Sequence, residues 1–167
     1  MAPKPVLISF SYQKYDGSWS VPLLDDVAHY LVDSTSALIL LSGTGGTGNL
    51  VKARLLDHSK VPDTIIGLYE TAGWAPQWVM TTGTTSPAFE RPGLQAIARS
   101  TSYATARGYA YRVHRILDNV VNKMLPHTSS GTLYQRIAAV NSPFSLGQDQ
   151  NGRFLLSVNF DVTKVRS

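Results

Sequence analysis

The sequence predicts an α+β domain, with a single mixed or antiparallel sheet of about five strands and two helices packed on one of its faces. Three observations carry that expectation. Two segments, 22–33 and 102–124, repeat apolar residues at three- to four-residue spacing, the period of a helix with one buried face. Phe154, Leu156, Val158, Phe160 and Val162 alternate strictly with Leu155, Ser157, Asn159 and Asp161, the period of a half-buried strand. Between these lie short β-branched and aromatic runs bounded by Gly, Pro, Asn and Asp.

In chain order, residues 1–21 read as an irregular arm. Pro3, Pro5 and Asp16-Gly17 punctuate it, and Phe10, Tyr12, Tyr15 and Trp19 give it aromatic weight. Aromatic rings are large apolar surfaces, so the arm is expected to dock, either on its own domain or on a neighbouring subunit. The domain proper is expected over 22–163, with a short tail at 164–167. Its first helix places Leu24, Val27, Ala28, Leu31 and Val32 on one side, with Pro22, Asp25 and Asp26 suited to the first turn. Ala37–Leu41 and Leu50–Leu56 are of strand length, separated by the Gly/Thr-rich loop 42–49. Pro62-Asp63 marks a turn before a strand at Thr64–Thr71. Residues 72–93 read as loop and Leu94–Ser100 as strand.

The helix predicted over 102–124 has Ser100, Thr101 or Ser102 to cap it and Pro126 to stop it. Ala106, Ala110, Val113, Leu117, Val120 or Val121, and Met124 form its buried stripe. Arg107, Arg112, Arg115, Asp118 and Lys123 form its other face. Gly108, inside the helix, would be explained by another backbone packing closely there. A strand from Gly131 to Val140, a loop, the turn Gln148–Gly152 and the alternating strand complete the domain as a hairpin.

Composition excludes several function classes. The 167 residues make one domain's worth of chain. Only 16% are charged, against about 25% in an average globular domain, while 43% are hydrophobic. So little charge points to a surface that partly faces other protein. There is no cysteine, which removes disulfides, thiolate zinc sites and thiol nucleophiles and suits a reducing cytoplasm. No run of about 18 apolar residues predicts a membrane-spanning helix, and Met1–Phe10 lacks the apolar core of a secretory signal. The net charge of +4 is unevenly spread: residues 1–90 hold five basic and eight acidic side chains, residues 91–167 ten and three. A basic second half suits nucleic acid, head-to-tail contact between identical copies, or a solvated helix face.

Gly43, Gly45 and Gly48 match the spacing of a dinucleotide-binding loop, with Gly46 between them. That chemistry needs the last glycine to open a helix whose N-terminus holds the pyrophosphate. The residues after Gly48 alternate like a strand instead, and no lysine follows to grip a phosphate, so a hairpin loop is the simpler reading. The four histidines, 29, 58, 114 and 127, have no metal-ligand spacing. No serine-nucleophile elbow is present. No enzyme chemistry, metal or cofactor is therefore expected, although a nucleotide-dependent enzyme would be revealed by a nucleotide that raises the melting temperature. Arg107, Arg112 and Arg115 among Tyr103, Tyr109 and Tyr111 leave a nucleic-acid-binding module on helix 102–124 as the alternative reading.

The last third of the chain narrows these classes. Tyr134-Gln-Arg-Ile137, the block Asn141 to Arg153 and Ser157 to Val162 together resemble the tail terminator proteins of long, non-contractile-tailed bacteriophages (siphoviruses), also described as minor capsid or neck proteins. Residues that carry the resemblance are Pro62, Asp63, Glu70, Thr71 and Gly73 in the middle, with Ala72 where the family has a first glycine. In the last block they are Pro143, Phe144, Leu146, Gly147, Asp149, Gly152, Arg153 and Asn159. The resemblance spans roughly 22–163 and explains neither the arm nor the loops.

It implies a structural protein of the virion, without catalytic residues or cofactor, assembled in the bacterial host cytoplasm. Such proteins form a ring, commonly a hexamer, on the finished tail tube; it stops polymerisation and offers the surface for head joining. The implied partners are copies of itself, the tail tube protein and head-side neck or connector proteins, with genomic DNA passing through the lumen unread and no membrane. Gly43, Gly45, Gly46 and Gly48, together with Arg107, Arg112 and Arg115, are the candidate contacts with partners or neighbouring subunits. Loops 43–49 and 76–90 are expected to order against tube or neck proteins. Arg153 is expected to fix the last hairpin through a carboxylate such as Asp149.

Overall fold

The computed structural model describes residues 23–40, 48–53, 55, 61–78, 88–127 and 130–166; the arm 1–21, Gly43, Gly45, Gly46 and residues 79–87 lie outside them. Two helices and eight strands follow in the order α1 (Leu23–Ser34), β1 (Leu50–Lys52), β2 (Ile65–Thr71), β3 (Phe89–Glu90), β4 (Gly93–Ser100), α2 (Tyr103–Asp118), β5 (Val121–His127), β6 (Ser130–Ala139), β7 (Phe144–Gln148) and β8 (Phe154–Val165). The α+β class and the two helices match expectation, but the sheet has eight strands rather than about five.

The strand order is β1-β2-β4-β8-β6-β5, with β3 and β7 also paired to β8. Only β1 and β2 run parallel. β8 organises the sheet. Along one edge it pairs with β4 and then β3; along the other it pairs with β7 over its first residues and β6 over its last. Its even-numbered residues, Leu156 to Val162, face the core shared with both helices.

Helix α1 packs against β5 at one end of the strand order and against β1 and β2 at the other, so the sheet curls into a half-barrel around it. Polar contacts tie down both ends. Lys52 of β1 pairs with Asp25. Lys123 of β5 donates to the Tyr30 hydroxyl at 3.0 Å and lies 4.5 Å from that ring's centroid. His127 of β5 sits 3.4 Å from Asp33. Leu23, Val27, Ala28 and Leu31 fill the interior. Asp25 and Asp26 stand in the first turn, as expected, and both are buried.

Helix α2 lies over β4, β8 and β6 through Ala106, Ala110, Val113 and Leu117. Ser102 caps it by accepting from the Thr105 amide. The helix is shorter than predicted: it ends at Asp118, not 124. Asn119 caps its C-terminus and donates to the Arg115 carbonyl at 2.7 Å. Beyond it, the Val120 carbonyl accepts from the Ile137 amide, and Asp118 Oδ1 accepts from the Ala139 amide. These bonds to β6 turn the chain, so Val120, Val121 and Met124 continue a helical spacing without being helical. Val121 and Met124 belong to β5, Pro126 lies within that strand after a cis peptide bond, and Lys123 faces α1 rather than the outer face of α2.

Other boundaries moved for comparable reasons. Ala37–Leu41 is no strand in its described part; it makes one bridge, Leu40 to Leu50. β1 stops at Lys52 because Ala53 adopts φ 63°. The expected loop 72–93 contains β3, and the expected loop before Arg153 contains β7. The expected tail is strand as far as Val165, with Lys164 3.0 Å from Glu90.

Candidate functional site

The residues that carry the family resemblance gather in three places. Near the start of β2, the Pro62-Asp63 turn meets the β7–β8 turn: Asp63 lies 3.7 Å from the Arg153 guanidinium. That guanidinium donates from Nε and Nη2 to Asp149 Oδ2 at 2.8 and 2.7 Å. Asp149 Oδ1 accepts from the amides of Asn151 and Arg153, both at 2.9 Å. Gly152 supplies the left-handed φ of 73° the turn requires. Burial alone would raise the Asp149 pKa, but the amide and guanidinium of Arg153 and the amide of Asn151 outweigh it and hold the carboxyl below its ordinary value.

At the other end of β2, Glu70 and Thr71 are exposed and the chain folds back on the segment before β4. The Trp74 amide donates to the Arg91 carbonyl at 2.9 Å, and the indole donates to Asp161 at 3.2 Å beneath the Arg91 guanidinium. Gly73 is required here. A Cβ at this position would overlap the Arg91 carbonyl oxygen and the Pro92 backbone, and backbone cannot yield as a side-chain tip can. Gly73→Ala is expected to cost at least about 2 kcal/mol, within the usual range for forced overpacking, read as a lower melting temperature. A wild-type melt would refute the close approach.

The third place is β7. Pro143 is half-buried, while Phe144 and Leu146 are 42% and 47% exposed. Gly147, at φ 97°, lets Leu146 bulge out of the ladder with β8. Asn159 steadies the approach to this strand: its side chain donates to Asn141 Oδ1 at 3.1 Å and its carbonyl accepts from the Val140 amide.

The remaining candidates separate. Gly43, Gly45 and Gly46 lie outside the described residues. Gly48 is buried, and a strand follows it instead of the helix a pyrophosphate site needs. Arg107, Arg112 and Arg115 are exposed on the outer side of α2. Arg107 stacks 5.2 Å from the Tyr111 ring centroid and Arg112 5.5 Å from that of Tyr109. No carboxylate among the described residues lies within ion-pair distance of the three. Among the described residues, no cluster of metal-ligating side chains forms.

Two arrangements escaped sequence reasoning. The first is a groove of about 690 Å³ between the end of α1 and the flank of α2, lined by Ser34, Thr35, Gly108, Tyr111, Arg112 and Arg115. Gly108 has no described atom within 4 Å of where its Cβ would stand, so the backbone packing expected to explain it does not exist within the described chain. Its only sequence signal was its position inside a strongly periodic helix.

The second arrangement is a buried pair. The Tyr134 hydroxyl donates to Asp26 Oδ2 at 2.7 Å, and both residues are fully buried. Burial pushes the Asp26 pKa up to about 6, with the Tyr134 hydrogen bond and Lys164 opposing it only in part. Burial, followed by the neighbouring Asp26, drives the Tyr134 phenol well above its ordinary value.

A search of curated proteins returns no match. Among solved structures, one similar chain comes from the "virion of native gene transfer agent (GTA) particle". It is 15% identical, with 72% of this chain and 81% of that one covered, at a TM-score of 0.47. The family model described as "Bacteriophage tail terminator protein" matches residues 54–166, which include β2 to β8 and all the residues named as carrying the resemblance. The chain belongs to the bacteriophage tail terminator family.

Proposed function

We propose that this protein is a structural component of the virion, forming a ring, most simply a hexamer, on the finished tail tube. The ring stops tube polymerisation and offers the surface on which the head-side neck or connector proteins join. Its neighbours are copies of itself, the tail tube protein below and the connector above. Genomic DNA passes through the lumen without being read, and no catalysis or cofactor is involved. Its place is the tail or neck, reached by assembly in the host cytoplasm. The family match over residues 54–166 carries this reading.

Two physical features support it. A ring of identical subunits uses heterologous contacts, in which one patch meets a different patch on the next copy. A chain with its acids concentrated in residues 1–90 and its bases in 91–167 can supply such complementary patches. β7 also presents a strand edge and two exposed apolar side chains, Phe144 and Leu146, where a neighbour can bury them.

The test is the particle mass in solution together with negative-stain images: a closed ring of about six copies, free or seated on tube ends, is the expected result. A protein that remains monomeric and never appears at tube ends would contradict it. Exposed Arg107 and Arg112, stacked on tyrosines and, like Arg115, without a carboxylate partner among the described residues, favour a second reading as a nucleic-acid-binding module. That reading requires duplex affinity falling steeply with salt.

A further inference from the structure

The groove between α1 and α2 contains a helix position that the isolated chain does not explain. Gly108 lies in the middle of α2, where glycine is among the poorest helix formers. No described atom approaches the site of its missing Cβ. The described fold therefore leaves the space over Gly108 open. Arg112 and Arg115 flank the same stretch of helix, with the Ser34 and Thr35 residues opposite and Ile116 adding an apolar patch. Stacking on Tyr109 holds the Arg112 fork, an arrangement suited to two-pronged recognition of a carboxylate. The end of α1 contributes roughly half a negative charge, far less than the two guanidinium charges beside it.

The complementary group is on the same chain. Glu70 is exposed at the end of β2. Among the described residues it is the one carboxylate with neither a cation nor a hydrogen-bond donor: Asp25, Asp33, Asp63, Asp149 and Glu90 have cationic partners, and Asp26, Asp118 and Asp161 accept hydrogen bonds. Four residues on, Trp74 is 62% exposed, an aromatic anchor of the kind that dominates protein interfaces.

We propose that the α1–α2 groove is a socket for the Glu70 end of β2 from a second copy of this chain, with the neighbour's backbone passing over Gly108. This rests on the ring reading and names the contact that closes the ring. Because socket and plug are different patches, the contact is heterologous and repeats around a ring.

The experiment uses the full chain and reads self-association by sedimentation, and by occupancy of tail-tube ends if assembly occurs only there. Arg112→Glu with Arg115→Glu is expected to weaken association at least tenfold, as is Glu70→Arg alone, each with a wild-type melting temperature. Combining all three substitutions is expected to restore association by exchanging the charges. Gly108→Ala is expected to melt higher than wild type, as alanine replaces glycine in a helix, yet to associate more weakly. The proposal is overturned if the charge variants associate like wild type, or if the triple variant is no better than either parent. It is also overturned if the arginine variant loses only salt-sensitive binding to duplex DNA. Normal wild-type assembly with indifferent variants defeats the socket alone; a wild type that neither associates nor caps tubes defeats the ring reading as well.

Discussion

Arg153→Ala is expected to lower the melting temperature by about 6–12 °C, with protection of the β7 amides lost before global unfolding. The Arg153 side chain is 8% exposed and that of Asp149 20%, so the pair is shielded from the solvent that makes surface ion pairs weak. Two charge-assisted bonds at 2.7–2.8 Å join them. Removing one partner of a largely buried pair costs about 3 kcal/mol, and for a chain near this length each kcal/mol moves the midpoint by about 2–4 °C. The damage concentrates in β7 because that strand pairs with β8 alone and the Asp149–Arg153 turn connects the two. Arg153→Lys keeps the charge but not the fork, so it is expected to fall between alanine and wild type. An unchanged melt for alanine would remove the hairpin clamp from the account.

The second large effect is a pH dependence at Asp26. Its pKa is about 6 in the folded protein against 3.8 for an ordinary aspartate, so the folded form takes up its proton first as pH falls. The stability this group contributes is full below about pH 3.8 and is lost as pH rises through about 6. At pH 8 the carboxylate is charged, with Oδ2 bonded to Tyr134 and Oδ1 buried without a partner. Asp26→Asn removes the charge and keeps an oxygen to accept from Tyr134. The stability difference between wild type and this variant is therefore expected to shift in favour of wild type by about 2–3 kcal/mol as pH falls from 8 to 4. Denaturant melts across that range measure it. Parallel curves for the two proteins would mean that the buried carboxylate does not titrate as described.

Much of the fold was legible because its signals are local and periodic. α1 and β8 bury helically spaced or alternating residues, and the sequence displays those periods directly, while β2 and β4, buried along most of their length, show as short apolar or β-branched runs. What was not legible depends on partners distant in sequence. Val120, Val121 and Met124 extend the spacing of α2, and only the bonds from β6 to Asp118 and Val120 show why the helix ends earlier. β7, preceded by Pro143 and interrupted at Gly147, is a strand because the first residues of β8 have an open side for it to pair with. β3 is two residues held by the end of β8.

The candidate site divides the same way. Asp149 and Arg153, four residues apart around a glycine turn, form a pattern visible in sequence, and the structure joins them. Asp63 meets that pair only through the fold. The Asp26–Tyr134 pair spans 108 residues, and the groove combines the end of α1 with the middle of α2, so neither has a local signature. The low charge content has a physical counterpart in exposed Phe144, Leu146, Trp74 and Trp78, the surface that a neighbouring protein would cover.

The central claim, a ring that terminates the tail tube, is tested most directly by adding the purified protein to polymerising tail tube protein and imaging the tubes. The account predicts that growth stops and that a ring of this protein sits on one end of each tube. Tubes that keep lengthening, with the protein absent from their ends, would contradict it.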